Sequence, residues 1–187
     1  ARVLFVSSTG VYGDAGGAWV DEDTAPAPEG FTGRAMLEAE AVLEGSAFRG
    51  TSVRLGGIYG PGRTFLIDAI RSDRPFPAAT MEHWTNRIHR DDAARAILHV
   101  ATAPSPPPVL NVVDPGPAPR REVLEWLAAQ LDRGLVTAAA APTRSAKANR
   151  RVSSRQLAST GFEFQFPSFK DGYSALLREA PPGREGA

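Results

Sequence analysis

Apolar positions along the chain alternate between two patterns. The run Val3-Leu4-Phe5-Val6 is continuous and β-prone, as in a strand covered on both faces of a parallel sheet. Thr51 to Tyr59 reads as a second strand ended by Gly60-Pro61-Gly62, and Val109 to Val113 as a third, after the break at Pro104 to Pro108. Helical periodicity fills the gaps. A helix is expected from about Thr32 to Glu44, with Ala35, Ala39 and Val42 as its apolar stripe and Gly45 as its stop. A short helix follows from Thr64 to Arg71, and the next is capped by Asp91 or Asp92 and runs through Ala96, Ile97 and Val100. Pro119 starts another, with Glu122 in its first turn and Leu124, Leu127, Ala128 and Leu131 on one face.

Toward the C-terminus, Ser153 with Gln156 reads as a capping box for a helix ending near Gly161. Phe162 to Phe166 is a short strand, and Ser168 with Asp171 caps the last helix. Ala138 to Asn149 reads as a surface loop and the tail from Pro181 as disordered. Alternating strands and helices place the chain in the α/β class. The absence of an initiator methionine and of a polar lead-in to the first strand leads us to expect earlier strands of the same sheet before Ala1.

Charge and composition narrow the partners. Lys+Arg 21 balance Asp+Glu 21, so the electrostatic attraction that drives nucleic-acid and anionic-membrane binding is missing, and the expected partner is a small molecule. With Cys 0 there is no disulfide framework, thiolate metal site or cysteine nucleophile, which fits a cytoplasmic protein, and no apolar run is long enough to span a bilayer. Lysine occurs only at Lys147 and Lys170.

Thr9-Gly10-Val11-Tyr12-Gly13-Asp14-Ala15-Gly16 imitates a dinucleotide glycine fingerprint after a strand. The fingerprint needs a helix to follow, and Gly17 to Asp23 with Pro26 and Pro28 supplies none. A different pattern fits better. Ser7-Ser8-Thr9-Gly10-Val11-Tyr12-Gly13 resembles the S-S-x-x-V-Y-G signature of the extended short-chain dehydrogenase/reductases, the NAD-dependent epimerase/dehydratase family. Arg54 to Gly62, Asn86 to Asp92 and Leu110 to Asp114 continue the resemblance in order, and it is nearest to the atypical members.

The resemblance implies a partial Rossmann-like parallel sheet with a small C-terminal substrate-side α/β lobe. Residues 1–62 would be later strands and a helix of the Rossmann-like domain, 63–108 a substrate-side segment and 109–115 a returning strand. Residues 116–180 would form the C-terminal lobe and 181–187 the tail. It also implies NAD or NADP as cofactor, a small polar, sugar-derived substrate, and a homodimer interface on the helix from Thr32.

Its catalytic residues carry over incompletely. Ser8 matches the hydroxyl that hydrogen-bonds the reacting oxygen, although a strand-end serine can also serve the backbone. The Y-G-x-S-K helix aligns with Phe31 to Glu40, placing Thr32 at the tyrosine and Met36 at the lysine. Tyr12, Tyr59 and Tyr173 are followed four residues on by Gly16, Arg63 and Leu177, so no Y-x-x-x-K exists. Threonine is too weak an acid to replace a phenol, and Tyr12 is the substitute to test.

Ser7, Leu55, Gly56 and Gly57 are the implied cofactor contacts. Arg63 and Arg87 are candidates for gripping an anionic substrate group, since a guanidinium offers paired donors. His89, Asp91 and Asp92 are read as a loop anchor and helix caps, not a metal site. Two readings stay open beside an oxidoreductase or epimerase with a degenerate active site. One is a catalytically silent NAD(P)-binding or sensing protein, the other an incomplete fragment without activity of its own.

Overall fold

The computed structural model describes residues 2–139 and 148–179. In chain order, strand β1 (Arg2–Ser8) leads through a 3-10 turn at Thr9–Tyr12 to β2 (Trp19–Val20), helix α1 (Phe31–Glu44), β3 (Arg49–Leu55) and β4 (Gly57–Tyr59). Then come α2 (Phe65–Arg71), β5 (Phe76–Pro77), β6 (Trp84–Thr85), β7 (Arg87–His89), α3 (Arg90–Thr102) and β8 (Val109–Val112). The rest is β9 (Ala118–Pro119), α4 (Arg120–Gln130), β10 (Thr137–Ala138), β11 (Arg151–Val152), α5 (Arg155–Ser159) and α6 (Phe169–Glu179). The main sheet is parallel, in the order β1-β3-β8, with Arg2 to Ser8 registered on Arg49 to Leu55. The three strands expected from the apolar runs therefore meet in one sheet. Among the described residues no helix is long and apolar enough to cross a membrane.

The run from Thr51 to Tyr59 is two strands, not one. At Gly56 the chain leaves the main sheet, and β4 pairs instead with β7, Gly57 opposite Arg87 and Tyr59 opposite His89. The crossing is tight, since a Cβ on Gly56 would lie 2.8 Å from Val113 Cγ1 and 3.2 Å from the Asn86 carbonyl. A glycine is required there by space rather than by dihedral angle.

Helix α1 also faces the sheet differently from the expected stripe. Val42 is 75% exposed, while Met36 and Leu37 pack inward and Leu43 seats over Gly50. The only fully buried side chain of the helix is Glu40. Apolar periodicity misassigned the face because the residue at its centre is a carboxylate, held by Arg54 from β3.

Three further expectations fail. The N-cap of α3 is His89, whose Nδ1 accepts the Asp91 N–H at 3.2 Å, not Asp91 or Asp92. Asp92 is fully buried and accepts the N–H groups of Gln165 at 3.0 Å and Phe166 at 2.8 Å. Phe162 to Phe166 is consequently irregular rather than a strand. The Ser153–Gln156 capping box does not form: Ser154 is the N-cap of α5, without a side-chain cap bond, and Ser153 Oγ accepts the Arg155 N–H at 3.2 Å.

Other expectations hold. Ser168 Oγ donates to Asp171 Oδ2 at 2.6 Å at the start of α6, and α4 buries Val123, Leu124, Leu127 and Ala128. Of the stretch read as a loop, Ala138 pairs with Pro77 in a short parallel ladder, residues 140–147 lie outside the described residues, and so does the tail.

Two large apolar clusters result. One joins Tyr59, α2, α4 and α6, and the other joins β3, β8, α3, Leu157 and Phe162. In the first, α6 approaches Tyr59 so closely that a Cβ on Gly172 would lie 2.0 Å from its phenol oxygen.

Candidate functional site

A cleft of about 540 Å³ opens where the C-terminal ends of β1 and β3 meet the α4–α6 lobe. Its first wall is the end of β1. Ser8 leaves the strand with extended dihedrals, and its Oγ accepts the Gly10 N–H at 3.1 Å, which starts the 3-10 turn. That bond uses Oγ as acceptor, so the O–H can still donate. Thr9, Gly10, Gly56 and Gly57 continue this wall, so it is polar but uncharged. The Gly56 and Gly57 N–H groups are already bonded to the carbonyls of Val112 and Asn86, so they cannot donate to a ligand.

The cleft also carries charge. Arg63, Arg87, Arg120 and Arg150 line the cleft, and among the described residues that line it there is no carboxylate. Arg87 and Arg150 are buried, and Arg87 Nη1, Arg120 Nε and Arg150 Nε have no hydrogen-bond partner. Arg87 Nη2 donates to Thr85 Oγ1, and Arg150 Nη1 to the Gly13 carbonyl at 2.5 Å. Burial and the neighbouring Arg87 charge pull the Arg120 guanidinium below its ordinary value. Trp84, Tyr59 and Tyr173 add aromatic surface, the two tyrosines stacked at 4.4 Å. Burial pushes the Tyr173 phenol up to about 12 and that of Tyr59 higher still, so neither is a ready acid at neutral pH.

Of the residues singled out from sequence, the fold brings Ser8, Gly56, Gly57, Arg63 and Arg87 to this cleft. It places Ser7, Leu55, Tyr12 and Thr32 outside its wall. Leu55 packs in the core between β3 and β8, and Thr32 is exposed in the first turn of α1. Met36 turns into the apolar cluster of Val11, Tyr12 and Val113.

Ser7 and Tyr12 belong to a buried network behind the wall. Ser7 Oγ donates to Glu40 Oε1, and Arg54 donates to the same carboxylate through Nε at 3.0 Å and Nη2 at 2.6 Å. Arg54 Nη1 donates to Tyr12 Oη at 2.9 Å, and Tyr12 in turn donates to Asn111 Oδ1 at 2.9 Å. Burial pushes the Tyr12 phenol above its ordinary value, which makes it a weaker acid than a free tyrosine. Sequence reasoning missed Arg120, Arg150 and the carboxyl of Asp114, which lies beneath Arg87. Arg150 follows directly on the stretch read as a loop, Ala138 to Asn149, and no spacing rule links any of the three residues to the cleft. Among the described residues no His/Cys/Asp/Glu group could hold a metal ion.

No family model matches the sequence. Protein YeeZ from Escherichia coli K12 is 34% identical over 172 residues, covering 89% of this chain and 59% of the relative. A solved structure from Methylobacillus flagellatus, described as an NAD-dependent epimerase/dehydratase, is 38% identical with a TM-score of 0.81 over 95% of this chain and 63% of that one. The fold is that of the NAD-dependent epimerase/dehydratase family. More distant structures share the architecture alone. They include human epimerase family protein SDR39U1 with NADPH, 22% identical with a TM-score of 0.83 over 96% of this chain and 66% of that one. MoeE5 in complex with UDP-glucuronic acid and NAD is 24% identical, with a TM-score of 0.79 over 92% and 62%. The chain spans about three fifths of the length of YeeZ and of the Methylobacillus protein. Within the epimerase/dehydratase fold, the mixed α/β architecture and the parallel sheet agree with the sequence reading.

Proposed function

We propose that the cleft receives the nicotinamide end of NAD or NADP and a small polar, sugar-derived substrate, in an oxidoreductase or epimerase-like protein whose acid/base pair has been replaced. The observation that carries this reading is the convergence of Ser8, Gly56 and Gly57 with Arg63 and Arg87 on one cleft. Uncharged surface with a hydroxyl suits a nicotinamide ring and its ribose, and the guanidiniums suit an anionic substrate group. Two of the fold relatives are named with NADPH, or with NAD and a nucleotide sugar, which agrees with this division.

The fit to the cofactor is one-sided. Ser8, Thr9 and Gly10 with Gly56 and Gly57 would hold the nicotinamide side, whereas no glycine-rich turn entering a helix N-terminus is present among the described residues for the pyrophosphate. When bound, the cofactor would supply a hydride acceptor or donor. Ser8 would orient the reacting oxygen through its O–H, and the buried network of Glu40, Arg54 and Ser7 would hold the end of β1 that carries it.

A second reading, a cofactor-binding or sensing protein without turnover, is favoured by the exposure of Thr32 and the inward packing of Met36. Turnover separates the two. With NAD(P) and a panel of nucleotide sugars, an enzyme should convert at least one, and Ser8→Ala should lower kcat about 100-fold or more. Cofactor binding with no conversion of any sugar would leave the sensing reading in place.

A further inference from the structure

We propose that Phe65 and Trp84 form a stacking subsite for an uncharged aromatic ring, so that the sugar-derived ligand of the cleft bears an aryl group. This deepens the substrate side of the function proposed above and rests on the cleft being the ligand site.

Both rings line the cleft, and each has a guanidinium over it. Arg151 Cζ lies 4.8 Å from the Trp84 ring centroid, and Arg74 Cζ 5.2 Å from that of Phe65. A cation over a ring face favours one orientation of the ring. Trp84 is held further by its backbone and its edge. Its N–H donates to Asn149 Oδ1 at 2.9 Å, it pairs with Pro119 just before α4, and a Cβ on Gly17 would come within 3.3 Å of its Cδ1. The pairing sets Trp84 beside the start of α4, whose Val123 and Leu124 also line the cleft. Leu66, the neighbour of Phe65, packs on the same apolar cluster. Phe65 itself is 59% exposed, apolar area whose burial against a ligand ring is favourable. A ring already fixed in place loses little freedom when a ligand stacks on it.

The polar neighbours argue against a nucleobase in this place. A base needs donors and acceptors for its edge, and the side chains that follow Trp84 are already spent. Thr85 Oγ1 donates to the Ala118 carbonyl at 2.7 Å and accepts from Arg87 Nη2. Asn86 Nδ2 donates to the Arg150 carbonyl at 2.9 Å, and its Oδ1 accepts the Val152 N–H at 2.7 Å. Helices α2 and α4 add the aliphatic side chains of Leu66, Val123 and Leu124. Ring faces and aliphatic surface of this kind suit a flat ring without a hydrogen-bonding edge. The polar part of the substrate is then left to Ser8.

The test is saturation-transfer NMR on the purified chain, without NAD(P), with phenyl β-glucoside, methyl β-glucoside and uridine as probes. All three are uncharged, so attraction to the arginines does not decide the result. We expect saturable binding of phenyl glucoside, about tenfold or more tighter than that of either other probe, with its phenyl protons more strongly saturated than its sugar protons. Phe65→Ala and Trp84→Ala should each weaken it about tenfold. Phe65→Ala removes a mostly exposed ring, so its result is independent of the packing that Trp84 gives to Gly17. Absence of phenyl glucoside binding, stronger saturation of the sugar protons, uridine binding as tightly, or unchanged affinity in Phe65→Ala would overturn the proposal. The cofactor reading fails separately. Binding of NADH without phenyl glucoside would remove this subsite alone, and binding of phenyl glucoside without NADH would keep the subsite and remove the cofactor assignment.

Discussion

Replacing Glu40 by alanine will lower the stability of the fold by about 3–5 kcal/mol, read from urea unfolding followed by circular dichroism. Glu40 and Arg54 are both buried, and the guanidinium reaches the carboxylate through Nε and Nη2. Removing the carboxylate leaves Arg54 with Tyr12 as its hydrogen-bond partner and strands the Ser7 hydroxyl as well. A buried cation without its counter-ion costs far more than the pair contributes, so the loss should be specific to breaking the pair. The double variant Glu40→Leu with Arg54→Met, which removes both charges and keeps apolar volume, should recover most of it. A loss below about 1 kcal/mol in Glu40→Ala would mean that solvent reaches the pair and that the network does not hold the end of β1.

Asp92→Ala should cost about 2–4 kcal/mol through a different mechanism. Its carboxylate accepts two backbone N–H groups, from Gln165 and Phe166, which lie 73 and 74 residues further along the chain. Alanine leaves both donors buried without an acceptor. The ion pair with Arg95 adds little, because the guanidinium is 46% exposed. The distinguishing readout is amide hydrogen exchange: the Gln165 and Phe166 amides should exchange faster in the variant than those of β3, whose ladder is untouched. Uniform acceleration across the chain would show that Asp92 supports global stability without tying this segment to α3.

The sequence revealed the architecture where the governing interactions are local. Continuous apolar runs marked β1, β3 and β8, and three of the segments that carried the family resemblance, around Ser8, Gly56 and Arg87, contribute residues to the cleft. That no tyrosine is followed four residues on by a lysine was equally legible, since it depends only on spacing.

The illegible parts depend on partners distant in the chain. The inward face of α1 was hidden because its central residue is the polar Glu40, whose partner Arg54 sits on another element. An aspartate in the first turn of a helix reads as a cap, and only the return of Gln165 and Phe166 makes Asp92 a clasp. The strand break at Gly56 follows from the approach of Val113, which no local pattern encodes. Arg120 and Arg150 resemble any surface arginine until the fold brings them to the cleft.

The most direct test of the central claim, that the Ser8 wall receives a nicotinamide ring, is a fluorescence titration of the purified chain with NADH and with NADPH. The account predicts saturable enhancement of the nicotinamide emission with at least one of them, weakened about tenfold or more in Gly57→Trp, whose side chain would occupy the cleft beside Ser8. No saturation with either nucleotide, or equal affinity in Gly57→Trp, would contradict it.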